Sequence, residues 1–379
     1  MSPGFVRYRP EIETFDPDLD ELLPQIIEFW EGKARESPKA EGTGQAVRPA
    51  HAKTVGFVRA EVQFLEAVPA EYAQGVYGKP GRHDALIRFS NVSGHLAPDG
   101  QLGPGQGFAI KMFDIEGTKL VEDEPQSDTF DLVLKNTPFF VANTAKHYLF
   151  IQAIVHDVAS YVARGKEGFR ELLTELLTGR GTLEQEDWAW EELLAFVKTA
   201  TQTPVTNPLL TTFWSMGAVR HGDYVAKVRV APAGENADQV IHRELDLEAA
   251  SGVFRSTLVD ELQAGAFDFD LQVQLCTDLE KMPVNELTEE WPEKLAPFVT
   301  VGRVHVPRQD ISGPENLDRG DGLAFNQWRV TSDHRPLGEI MNVRRIYSSA
   351  AKVRRTLNHQ QQTEPASADQ VLPEAMSMR

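Results

Sequence analysis

The chain has 379 residues, with 38 Lys+Arg against 56 Asp+Glu and a formal net charge of −18. This acidic balance excludes nucleic acid and anionic membrane surfaces as electrostatic partners, because no basic excess displaces counterions. A single cysteine, Cys276, excludes a disulfide framework and a cysteine-ligated zinc or iron–sulfur site within one chain.

Residues 1–45 read as an N-terminal helix and linker. Leu22, Leu23, Ile26, Ile27 and Phe29/Trp30 recur at near-helical spacing, which predicts a helix over 18–33. A Gly/Pro/Ser-containing stretch, 36–49, follows. No apolar h-region opens the sequence and no run approaches ~18 apolar residues, so a cytoplasmic protein without a membrane span is expected.

From residue 54 the period changes. Val58, Ala60, Val62 and Phe64 alternate with Arg59, Glu61 and Gln63, the mark of a half-buried strand. Similar strands are predicted at 84–92, 107–115, 129–135, 223–231, 267–276 and 298–306. Helices are predicted at 142–163, 167–178 and 184–200, and Pro-containing loops at 280–297 and 307–336. A last helix, 338–358, carries Lys/Arg in its final turns, where cations suit the helix dipole. The polar, Pro/Ala-rich remainder, 359–379, reads as a disordered tail. Trp188, Trp190, Trp214, Trp291 and Trp328 are expected in the core. The fold class is α+β: one domain over 46–358, an antiparallel barrel of about eight strands with inserted helices.

Several patterns point away from other chemistries. The Gly-rich stretch 100–107 lacks the Lys-Ser/Thr of a P-loop and runs into a strand, so it is a loop. Asp268 and Asp270, or Glu122, Asp123 and Glu124, lack the paired histidines of a carboxylate metal site. No G-x-S-x-G turn supports a hydrolase.

Four segments carry candidate chemistry: R-P-A-H-A-K at 48–53, I-R-F-S-N at 87–91, L-K-N-T-P-F-F at 134–140, and M-N-V-R-R-I-Y-S-S-A-A-K-V-R-R at 341–355. Residues two apart on a strand share a face, so Arg88 and Ser90 point together. Positions seven apart on a helix differ by about 20°, which puts Tyr347 and Arg354 on one face.

These segments, in this order, resemble the haem catalase family. The resemblance spans roughly 45–358 and includes G-F-A-I-K-M-F, F-N-Q-W and H-R-P-L-G. It is strongest to short bacterial catalase-like proteins that lack a C-terminal flavodoxin-like domain. It implies haem b as cofactor, with Tyr347 as the iron ligand. It implies His51 as the acid/base that moves the peroxide proton, Asn136 as the amide holding the peroxide, and Ser90 as the hydroxyl fixing the His51 ring. Arg48, Arg88 and Arg354 match arginines that pair with propionates, and Phe139 or Phe140 a wall of the porphyrin.

The implied activity is consumption of hydrogen peroxide. The alternatives are conversion of an organic or lipid hydroperoxide, as in allene oxide synthases or peroxygenases, and haem binding without turnover. A homo-oligomer is implied as well. Two positions depart from the family pattern. The phenolate-supporting Arg expected four residues before Tyr347 is Val343, with arginine at Arg344 and Arg345; on a regular helix Arg344 would lie ~60° from the Tyr. Ala50, before His51, leaves a roomier pocket.

Overall fold

The computed structural model describes residues 4–234 and 244–373. Among the described residues nine strands form one antiparallel sheet: β1 Thr54–Phe64, β2 Gly81–Asn91, β3 Gln106–Met112, β4 Phe130–Lys135, β5 Phe213–Trp214, β6 Val219–His221, β7 Tyr224–Pro232, β8 Phe267–Leu275 and β9 Val299–Val306. The order is β5-β4-β3-β2-β1-β9-β8-β7-β6, and a further β5–β7 pairing closes eight of them into a barrel. β6 lies outside the ring as a hairpin on β7. Closure removes the open sheet edges that would otherwise invite association.

Alternation decides which residues fill the barrel. Ile87 and Phe89 on β2, Phe108 and Ile110 on β3, and Phe269 and Leu271 on β8 all join one buried core. Burying each such side chain contributes about 1.5–3 kcal/mol. Their neighbours Arg88 and Ser90 therefore face outward, so the candidate polar face lies on the outside of the barrel.

Helices cover part of that outer face. The helix Leu19–Ala40 is longer than predicted and buries Ile26, Trp30 and Ala34. It packs with Ala145–His156 and the C-terminal helix Tyr347–Leu357 in a second apolar cluster. Ala145–His156 begins where the Thr144 hydroxyl accepts from the His147 N–H at 3.2 Å. Gly165–Thr178 stops at Gly179, whose φ of 57° suits glycine. Trp190–Gln202 completes the inserted block.

The structure corrects five sequence expectations. The final helix is not continuous: Glu339–Val343 and Tyr347–Leu357 are separated by a 3₁₀ turn, Arg344–Ile346. Three helical segments were not predicted: the short Asp99–Leu102 in the stretch read as a loop, Val253–Ala264, whose Phe254, Leu258 and Leu262 are buried, and Pro314–Asp321, inside the expected loop 307–336. The two-residue β5 and three-residue β6 are too short to show alternation. Trp190 is 55% exposed rather than in the core, whereas Trp291 and Trp328 are buried.

The fifth correction concerns the tail. Its described part, through 373, is packed rather than disordered: Ala368, Val371 and Leu372 bury against Phe57, Leu86 and Phe113. Glu364 lies 2.5 Å from the Lys111 ammonium and 3.4 Å from Arg329. A polar composition hid a few well-placed anchors. The rest of the predicted tail, 374–379, lies outside the described residues.

Candidate functional site

The site is built on the outer face where β1 to β4 run side by side. Register places Ser90 opposite Gly107, and Gly107 opposite Lys135. The next row down pairs Arg88 with Ala109 and Ala109 with Val133. The small residues of β3 thus leave a trough between the larger side chains of β2 and β4.

His51 lies over that trough. Its own φ is +55°, a left-handed conformation uncommon for a residue with a side chain and frequent at functional sites. Backbone bonds from His51 N–H to Val92 O and from Ala52 N–H to Ser93 O hold the segment beside the end of β2. The His51 Nδ1 is 3.1 Å from the Ser90 hydroxyl. A Cβ on Gly107 would come within 2.4 Å of the same Nδ1, so glycine is required for the ring to sit there. Burial first, then the positive charges of Arg88, Arg344, Lys135 and Arg48, push its pKa down to about 3. The imidazole is neutral at physiological pH and able to accept a proton.

Arg48, Arg88 and Arg354 gather around one carboxylate. Arg48 Nη1 donates to Asp321 Oδ1 at 2.7 Å, and Arg354 Nη1 donates to the Asp321 carbonyl at 2.6 Å. Arg88 Nη2 donates to the His51 carbonyl at 2.6 Å and to the Thr54 hydroxyl at 2.8 Å, linking the cluster to the imidazole. Burial opposes the ionised Asp321, but Arg48 and Arg88 reverse this and hold its pKa below the usual value. One carboxylate among three guanidiniums leaves positive charge uncompensated. Burial, then Arg48, pushes Arg354 down to about 8, and its Nε is buried with no partner.

Tyr347 opens the helix Tyr347–Leu357, so Tyr347 and Arg354 share its face two turns apart, and both line the cavity with His51 and Arg88. Immediately before it the chain tightens into the 3₁₀ turn Arg344–Ile346. With three residues per turn, positions three apart eclipse, which aligns Arg344 with Tyr347. The guanidinium carbon of Arg344 is 6.0 Å from the Tyr347 ring centre. Burial raises the Tyr347 pKa, while Arg344 and a hydroxyl–hydroxyl contact with Tyr148 at 2.5 Å pull it back. Trp30 packs edge-on to the Tyr347 ring, 5.2 Å between centres.

The structure thus brings His51, Ser90, Arg48, Arg88, Phe140, Arg344, Tyr347 and Arg354 to one cavity. It does not bring Asn136 or Phe139 there. The Asn136 amide accepts from Gln106 N–H at 2.8 Å and donates to the Pro104 carbonyl at 3.0 Å. Phe139 is buried beneath the Lys198 ammonium, 4.4 Å from its ring centre. Lys135, one residue before Asn136, lines the cavity instead. A step of one residue along a strand reverses the face, and β4 alternation already puts Lys135 on the side of Val133.

Sequence reasoning therefore missed Lys135 and also Gly107, the last glycine of the stretch read as a loop. The other acidic candidates are accounted for: Asp268 lies 2.7 Å from His305 and Asp270 lies 3.2 Å from Arg303. Among the described residues no group of three or more His, Cys, Asp or Glu could hold a metal ion.

The cavity suits a flat, dianionic macrocycle with a metal centre. Val133, Phe140, Phe325 and Ala350 supply apolar walls, and a phenol stands ready as a ligand. The three arginines, with the orphaned Nε of Arg354, supply donors for two carboxylates. The residues present therefore fit haem.

No protein-family model matches the chain, and no curated protein matches its sequence. Solved structures do match. A fungal catalase superposes with a TM-score of 0.57 at 16% identity, covering 91% of this chain and 65% of that one. Catalase A from Saccharomyces cerevisiae gives 0.56 at 17%, covering 88% and 65%. A bacterial catalase gives 0.55 at 17%, covering 87% and 63%. The chain spans a little under two thirds of the length of each. No helix among the described residues is long and apolar enough to cross a membrane. The fold is catalase-like: a closed eight-stranded antiparallel barrel whose outer face, between helices, carries the candidate site.

Proposed function

We propose that this protein is a haem-dependent oxidoreductase that consumes peroxide. The observation that carries the reading is the meeting, at one cavity, of a neutral His51, the Tyr347 phenol and the Arg48/Arg88/Arg354 cluster. Haem, when bound, would supply iron that gives two electrons to cleave the peroxide O–O bond and recovers them from a second peroxide or another small donor.

The chain's residues then have defined work. Tyr347 would hold the metal, with Arg344 and Tyr148 opposing the burial that disfavours its phenolate. Arg48, Arg88 and Arg354 would pair with the propionates and relieve their mutual repulsion. Ser90 fixes the His51 ring through Nδ1 and leaves Nε2 to the cavity, where it takes a proton from one peroxide oxygen and returns it to the other.

Ala50 also lines the cavity, and this small residue favours a second reading in which the peroxide is organic. In either case the reading expects a homo-oligomer in the cytoplasm, with peroxide as its small-molecule partner.

The test is spectroscopic and kinetic. Protein loaded with haem should show a ferric Soret band with a tyrosinate signature that is lost in Tyr347→Phe. His51→Ala should retain the band and lose about 100-fold or more in peroxide consumption, the range of a positioned acid/base. An unchanged spectrum in Tyr347→Phe removes Tyr347 as ligand. Equal turnover in His51→Ala removes the acid/base.

A further inference from the structure

A second cavity, of about 350 Å³, lies along another flank of the helix Tyr347–Leu357. It meets the candidate haem cavity only at Ala324, Phe325 and Ala351, and neither His51, Arg88 nor Tyr347 lines it. Leu23 and Ile27 of the helix Leu19–Ala40, with Leu120, Trp328 and Ile346, give it apolar walls.

Arg355 lines this cavity and is only 6% exposed. Arg354, one residue back and about 100° round the helix, is turned to the haem cavity instead. The Arg355 guanidinium makes no hydrogen bond or ion pair with a described residue, and its Nε is buried without a partner. One buried carboxylate, Glu364, lines the same cavity, but Lys111 at 2.5 Å and Arg329 at 3.4 Å already hold it. Glu122 and Asp123 also line it, yet both are exposed and screened by water. Glu364, Asp123 and Glu124 thus attract Arg355 from beyond ion-pair distance, and burial still pushes its pKa down.

A buried guanidinium with unmet donors is costly, because water is lost and nothing replaces it. Its natural complement is an anion that enters the cavity. Arg345 adds a second cation there, exposed, in no ion pair among the described residues, and 4.7 Å from the Trp328 ring centre.

We propose that this cavity is a binding site for a small carboxylic acid with an apolar body, its carboxylate on Arg355 and its body against Ile27, Trp328 and Ile346. A carboxylate matches the paired N–H donors of one guanidinium. A phosphate monoester carries nearly two charges and would be repelled by Glu122 and Asp123. The site does not depend on the peroxide-consuming reading.

Calorimetric titration of the full-length protein, with and without haem, tests this with benzoate, neutral benzamide and phenyl phosphate. Benzoate should bind at least tenfold more tightly than benzamide, the usual worth of hydrogen bonds to a charged group, and more tightly than phenyl phosphate. The preference should be equal with and without haem, because the ligand does not occupy the haem cavity. Arg355→Met should erase it, and Arg355→Lys, which keeps the charge but not the paired donors, should retain only part. Thermal melts confirm that each variant folds. If the methionine variant does not, the lysine variant decides, and an undiminished preference there overturns the proposal. Equal binding of acid and amide, tighter binding of phenyl phosphate, a preference that survives Arg355→Met, or one confined to the apoprotein overturns it as well.

Discussion

Arg344 lies three residues before Tyr347, and the 3₁₀ turn between them sets its guanidinium against the phenol ring at 6.0 Å. Position −4, where a regular helix would best place such a cation, is held by Val343, fully buried in the apolar cluster beneath. The tighter turn therefore exchanges one register for another and keeps a positive charge beside the phenol.

Arg344→Leu should weaken haem retention by about 10- to 100-fold, the usual effect of removing a group that supports a metal ligand. Arg344→Lys should lose less, because it keeps the charge. Competition for haem with apomyoglobin measures both. Equal retention by wild type and Arg344→Leu would show that the turn does not serve the ligand.

Gly107→Ala should act on chemistry rather than on the fold. Its new Cβ would meet the His51 ring at 2.4 Å, so the imidazole must leave Ser90. Peroxide turnover should fall about 100-fold. Ser90→Ala removes one neutral hydrogen bond, about 1 kcal/mol, and should cost only about fivefold. Steady-state rates with the Soret band as a haem count separate the two.

Buried histidines make stability depend on pH in a defined direction. His221 is fully buried, and burial pushes its pKa down to about 4, opposed by its bond to the Tyr72 carbonyl. A histidine with a depressed pKa stays neutral when folded and takes up a proton on unfolding. Its contribution is complete above its unfolded value of ~6.5 and is lost as pH falls toward 4. Between pH 7 and pH 5 the loss is about 2 kcal/mol. His221→Gln should flatten the pH dependence of urea unfolding of the apoprotein by about that amount. A slope unchanged by the substitution would show that His221 is not the group responsible.

Glu364 anchors the C-terminal segment inside the protein. It joins Lys111, which is fully buried and also 2.7 Å from Asp131, and it faces Arg329. Breaking a buried ion network leaves charge unpaired and costs about 3–5 kcal/mol. Glu364→Gln should lower the urea midpoint accordingly. Deleting residues from 360 onward should do the same, and should expose the apolar patch around Phe57, Leu86 and Phe113 to a dye such as ANS.

Asp321→Asn tests the arginine cluster. In the apoprotein it removes the carboxylate shared by Arg48, Arg88 and Arg354, and should cost about 1–2 kcal/mol because Asp321 is partly exposed. Bound haem would supply carboxylates of its own, so the loaded protein should lose less. Thermal melts with and without haem give the comparison, and equal losses would argue against propionates at this cluster.

The strands were legible because each buries one face: F-D-F-D-L-Q-V-Q-L alternates in sequence and in burial alike. The candidate residues of the site were legible only with help from a resemblance, and imperfectly. It pointed to Asn136 where the cavity holds Lys135, because a match of short motifs does not tell which side of a strand a residue faces. The packed tail was hidden for a different reason. Ala368, Val371, Leu372 and Glu364 acquire their roles largely from partners far back in the chain, such as Phe57, Leu86, Lys111 and Phe113, and no local pattern encodes such contacts.

By itself, the sequence determined the acidic charge balance, the exclusion of a disulfide framework and of a cysteine-ligated zinc or iron–sulfur site within one chain, and an antiparallel α+β fold. Composition and period suffice for these, since charge, cysteine count and alternation are local quantities. The tertiary structure alone decided that the polar face of the barrel is its outside, that Gly107 makes room for His51, and that a 3₁₀ turn brings Arg344 to Tyr347. Each of these depends on strand register or helix pitch, which packing of distant segments sets and the one-dimensional pattern leaves open.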